Sequence, residues 1–166
     1  MPENFSRYDS DQENRRGAWW VVLQGALFVL FIMALVWGNR LDGGGVLVYV
    51  RAAGLLVAGF GAGVSAWSVI QHGARLSPFP RPVSNARLIE GGPYRFVRHP
   101  MYSGIIAFTL GTGVAYASPA TVLTAPMFFV FFVAKTAREE EMLVALVPGY
   151  RRYRSEVPWR LIPRIV

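Results

Sequence analysis

The chain has 166 residues, 53% of them hydrophobic and only 16% charged, where water-soluble domains carry about 25% charged residues. With a mean hydropathy of +0.33, that composition excludes a disordered tail and a soluble enzyme and predicts a small integral membrane protein. The absence of cysteine removes disulfides, thiolate nucleophiles and thiolate metal sites, and the net charge of +7 suits anionic lipid headgroups as well as nucleic acid, so its position along the chain decides between them.

The stretch up to about Gln12 is polar and is expected to be mobile. The first apolar run covers residues 18–37, about the 20 residues a helix needs to cross the hydrocarbon core. Arg15 and Arg16 precede it, but no small-residue cleavage site follows, so it reads as a retained span. Trp19, Trp20 and Trp37 sit at its ends, where aromatic belts belong. A turn through Asp42-Gly43-Gly44-Gly45 leads to the second run, 46–70. Arg51 lies near its start and can snorkel to the interface. Gly59-x-Gly61-x-Gly63 falls inside this run; with no strand before it, it reads as close helix packing and not as a dinucleotide loop.

The third and fourth runs, 100–117 and 119–134, are separated by Ser118-Pro119, which predicts a tight helical hairpin. Nothing stops the fourth helix from continuing past Lys135 towards Val147, where Pro148-Gly149 ends it. The expected fold is an all-α, four-span helical bundle with a cytoplasmic C-terminal helical extension, forming one domain over residues 1–166. Of the seventeen basic residues, only Arg40 and Arg51 lie outside the segments that four spans place on one side. The positive-inside rule therefore predicts that both termini are cytoplasmic. The charge has a membrane explanation, and no nucleic-acid partner is needed.

Two segments carry more chemistry than topology requires, 86–102 and 135–158. In the first, Gly92-Pro93 marks a turn and Pro100 suits the first position of a helix, which places His99 at the N-cap. Arg98 and His99 beside a helix N-terminus could bind an anion or simply anchor the helix to headgroups. In the second, Glu139-Glu140-Glu141 fan out at about 100° per residue, so at most two can face the bundle. Lys135 and Glu139 share a helix face. Glu139, just beyond the apolar run, is the better candidate to face the first segment; Glu141 reads as solvated. The Tyr150-Arg151-Arg152-Tyr153 stretch reads as interfacial.

Together Gly92-Pro93-Tyr94, Arg98-His99-Pro100-Met101-Tyr102, the Glu139-Glu140 pair and Tyr150-x-x-Tyr153 with Val157-Pro158 resemble the isoprenylcysteine carboxyl methyltransferase family and its phospholipid methyltransferase relatives. The resemblance covers about half of the chain, residues 85 to 163. It implies S-adenosylmethionine as methyl donor, bound without a Rossmann domain and lined by Leu88, Ile89, Tyr94, His99, Pro100, Met101, Tyr102 and the Glu139-Glu140 pair, with Glu139 on its ammonium. It implies a lipophilic small-molecule or lipidated acceptor reached from the membrane. Lys135 stands where the members nearest the eukaryotic enzymes carry an Arg on the substrate carboxylate, with Arg138 or Arg98 as the alternative anchor. A nicotinamide-dependent membrane reductase and a non-catalytic membrane scaffold are the rival readings.

Overall fold

The computed structural model describes residues 3–73 and 88–165, with side chains from residue 17 onward in those stretches. Among the described residues, the regular structure is entirely helical: α1 (Glu3–Trp37), α2 (Gly45–His72), a 3₁₀ turn (Gly92–Arg95), α3 (Pro100–Ala115), α4 (Pro119–Val122), α5 (Thr124–Leu146) and α6 (Tyr150–Glu156). The polar N-terminal stretch, from Glu3, forms the first part of α1.

Among the described residues, three helical stretches are long and apolar enough to cross a membrane: Gly17–Trp37, Gly45–His72 and Pro119–Leu146. Their outward faces carry exposed Val22, Ile32, Val48, Leu56, Phe60 and Val130, a surface suited to lipid. The fourth expected span, α3, has 16 residues. It therefore rises about 24 Å, less than the roughly 30 Å of a hydrocarbon core. It nevertheless runs between the two ends of the bundle. Gly104 abuts Gly61 and Ser65 in the second half of α2, and Gly111 and Ala115 abut Gly54 in the first.

That antiparallel seam explains how two helices approach so closely. A Cβ on Gly54, Gly61, Gly104 or Gly111 would fall within 3 Å of backbone atoms of the facing helix. The expected packing role of the second-run glycines is corrected in detail. Gly61 belongs to the seam, whereas nothing lies within 4 Å of where a Cβ on Gly59 or Gly63 would stand. Successive members of a G-x-G-x-G run stand about 200° apart on a helix, so Gly61 cannot share a face with the other two.

The loop between α1 and α2 meets the turn after α3: Leu41 donates its N–H to the Ala117 carbonyl at 2.8 Å. Arg51 reaches back from α2 to the Leu41 carbonyl in the α1–α2 loop at 3.1 Å. Ser118 caps α4 by accepting from the Thr121 N–H at 3.4 Å, with Pro119 in the first turn. The apolar run that follows is not one continuous helix. Pro126 has no N–H for the Val122 carbonyl, and the chain breaks helical register at Leu123. From there α5 continues through Lys135 to Leu146. Gly149, with φ of 84°, makes the left-handed turn into α6.

At the other end of the bundle the main core joins Leu27 and Phe31 of α1, Tyr102 of α3, Phe128, Phe131 and Phe132 of α5, and Leu161 of the C-terminal segment. A smaller cluster of Tyr94, Val147, Tyr150 and Tyr153 lies beside it. Arg75, Arg81 and Arg87 lie outside the described residues.

Candidate functional site

His99 stands at the N-cap of α3, as Pro100 requires. The helix end is not the open anion site that Arg98 and His99 suggested. The C-terminal segment crosses it, with the Arg98 and His99 N–H groups donating to the Trp159 and Arg160 carbonyls at 2.9 Å each. Ser103 donates to the Leu161 carbonyl at 2.5 Å, and buried Leu161 seals the core beneath.

From α5, Glu139 and Glu140 both turn into the protein, and Glu141 points out. Their surroundings differ. Glu140 is the hub of a buried ion network. Arg98 grips both of its oxygens, Nε to Oε1 at 2.7 Å and Nη2 to Oε2 at 3.2 Å. His99 Nε2 lies 3.2 Å from Oε1, Arg160 Nε donates to Oε2 at 3.3 Å, and Arg154 Nε is 3.8 Å away. Arg98 also donates from Nη1 to the Val157 carbonyl at 2.6 Å. Arg98 thus ties α5, the start of α3 and the C-terminal segment together; it does not face open space, as an anion-binding role would need.

Glu139 is held by fewer contacts. Oε1 accepts from the Tyr102 hydroxyl at 2.7 Å. Oε2 has no hydrogen bond among the described residues; His99 Nδ1 lies 3.6 Å from it. Tyr102 is itself fixed by stacking on Phe132 at 4.3 Å and on His99 at 5.9 Å. A carboxylate thus sits 8% exposed with one oxygen free to accept.

Lys135 is one turn before Glu139 and 3.9 Å from it, as the spacing predicts. Its setting differs from an exposed helical pair, because it is only 1% exposed. It donates to Gln24 Oε1 of α1 at 2.6 Å and lies over the Tyr102 ring at 5.2 Å. Arg138 is not brought into the site; it is exposed and pairs with Glu141 at 2.8 Å.

Beside the acid pair, Leu88 and Ile89 pack half-buried against Tyr94, Tyr150 and Tyr153. Tyr153 donates to the Tyr94 carbonyl at 2.7 Å, and the Tyr94 hydroxyl meets His72 Nδ1 at 3.0 Å. Burial pushes the Tyr94 and Tyr153 phenols up, so both stay protonated at neutral pH. Pro100 is buried, while Met101 is half-buried against the main core and accepts from Ser65 through its carbonyl at 3.1 Å.

Sequence reasoning missed Gln24, Ser103, Arg154, Arg160 and Leu161. Gln24 had a signal, as the one amide inside an otherwise apolar span. The other four had none, since only the fold brings the C-terminal segment against Glu140 and the start of α3.

The model of the phospholipid methyltransferase family matches residues 49–146. Over 73 residues the chain is 34% identical to the Protein-S-isoprenylcysteine O-methyltransferase of Schizosaccharomyces pombe; the match covers 43% of this chain and 31% of that one. The matched family region contains the whole of the α2–α3 seam and both acidic residues.

Proposed function

Because the chain belongs to the phospholipid methyltransferase family, we propose that it transfers a methyl group from S-adenosylmethionine to a lipophilic acceptor at the membrane face where α3 begins. The observation that carries this reading is the division of labour in the acid pair. Glu140 is saturated by Arg98, His99 and Arg160, while Oε2 of Glu139 is left to accept. A buried carboxylate with a free oxygen fits an ammonium, so the residues present suit the amino acid end of the methyl donor.

In this reading Glu139 accepts from the donor's ammonium, and Tyr102 orients Glu139. Leu88, Ile89, Tyr94, His99, Pro100 and Met101 line the rest of the site. Glu140 and Arg98 act by position, holding α5 against the start of α3. When bound, S-adenosylmethionine supplies an electrophilic methyl on a sulfonium. The protein's task is then alignment and exclusion of water, which the stacked Tyr102–Phe132 wall and the Leu161 seal perform. Lys135, and not the outward-facing Arg138, supplies the cation for an anionic acceptor. A carboxylate needs no general base. The isoprenylcysteine named in the fission-yeast relative's description supports an acceptor of that kind. Four crossings with both termini cytoplasmic complete the proposal. They are supported by the basic residues at the site end and by the meeting of the α1–α2 loop with the α3–α4 turn at the other.

The test is methyl transfer by the purified protein in lipid nanodiscs. Methyl-labelled S-adenosylmethionine is offered with lipophilic carboxylates, amines and thiols. Label should pass to the carboxylates, and transfer to none of the three would overturn the reading.

A further inference from the structure

Four buried tyrosines surround this end of the bundle, and three have their hydroxyls engaged: Tyr102 on Glu139, Tyr153 on the Tyr94 carbonyl and Tyr94 on His72. The fourth, Tyr150, is 4% exposed, and its hydroxyl has no hydrogen-bond partner among the described residues. Buried tyrosine hydroxyls ordinarily find a partner, and leaving one without it costs stability. The Arg98 guanidinium lies alongside, with three of its five N–H groups on Glu140 and the Val157 carbonyl; having donors only, it cannot accept the hydroxyl's own proton. Burial raises the phenol's pKa by more than Arg98 lowers it, so the hydroxyl keeps its proton at neutral pH.

The ring of Tyr150 packs with Tyr94, Val147 and Tyr153, next to Leu88 and Ile89. These residues lie outside the three spanning stretches except where α5 ends. A ligand that meets this wall arrives from water, whereas a lipophilic acceptor arrives between the spans. We propose that the Tyr150 hydroxyl is a binding group for the methyl donor, donating a hydrogen bond to a polar atom of S-adenosylmethionine from the wall it forms with Tyr94, Leu88 and Ile89. The proposal rests on the reading of the preceding subsection and gives a ligand role to a residue that the sequence reads as interfacial.

A hydroxyl kept for a ligand has a signature that a structural one lacks. Its removal spares or stabilises the ligand-free protein and weakens binding. The experiment measures thermal unfolding without ligand, and S-adenosylmethionine affinity by calorimetry, for the wild type, Tyr150→Phe and Tyr153→Phe. Tyr150→Phe is expected to unfold at the wild-type temperature or above it and to bind about tenfold more weakly, which is about 1.4 kcal/mol. Tyr153→Phe, which loses a made hydrogen bond, is expected to unfold at a lower temperature. Tyr150→Phe affinity within twofold of the wild type would overturn the proposal alone, as would a drop in its unfolding temperature equal to that of Tyr153→Phe. No binding by the wild type would overturn the methyl-donor reading and this proposal with it.

Discussion

Replacing Glu140 by Ala should unfold the site end of the protein far more readily than its position in a charge run suggests. The Arg98 and Glu140 side chains are 4% and 2% exposed, and they are joined at 2.7 Å. Removing the carboxylate leaves a guanidinium buried against the start of α3 with only the Val157 carbonyl to accept from it, and it also frees Arg160 and His99. Breaking a buried pair by deleting one partner costs about 3–5 kcal/mol. Glu141→Ala is the control. Its partner Arg138 is 47% exposed and Glu141 itself 66%, so the loss should be about 0–1 kcal/mol. Denaturant unfolding of the purified protein in mild detergent, followed by helical circular dichroism, reads both variants. Because the cost lies in the stranded charge, an Arg98→Met, Glu140→Met double variant should recover most of the stability lost by Glu140→Ala. Equal losses for Glu140→Ala and Glu141→Ala would refute the buried hub.

Three other outcomes are expected. Gly61→Ala pushes a Cβ into the backbone of α3 and should cost about 1–3 kcal/mol by overpacking; Gly59→Ala meets nothing and should be neutral or stabilising by up to about 1 kcal/mol, as paired unfolding curves would reveal. Lys135→Met keeps the buried volume but removes the charge, so transfer to an anionic acceptor should fall at least tenfold while donor affinity holds; unchanged turnover would return Lys135 to a packing role. Reporters inserted at Asp42 and after Val166 should respond on opposite sides of the membrane, and a response on the same side would contradict the four-crossing topology.

Much of this architecture is legible in the sequence because a bilayer imposes a strong, local rule. Long apolar runs had to be helices, and Pro100, Ser118-Pro119 and Pro148-Gly149 marked where helices start and stop. Pro126 was equally visible, but its break at Leu123 falls inside an apolar run and was hidden by it. Rotation about a helix axis was not legible. Gly59 and Gly61 are equally small, and only the contact with α3 decides which one packs. The acid pair was legible as a pair, and its inward orientation was foreseen for Glu139. The saturation of Glu140 was not, because Arg154 and Arg160 reach it through the C-terminal segment's return past α3. The burial of Lys135 was not legible either, because Gln24, more than a hundred residues away in sequence, supplies the other wall of it.

The central claim is that the free oxygen of Glu139 holds the ammonium of S-adenosylmethionine. The most direct measurement is the calorimetric affinity of that donor for the wild type and for Glu139→Gln, an exchange that preserves shape and removes the charge. A hydrogen bond to a charged group contributes about 1.5–3 kcal/mol, so Glu139→Gln should bind the donor roughly 10- to 150-fold more weakly. Equal affinities for the two proteins, or no binding by the wild type, would contradict the account.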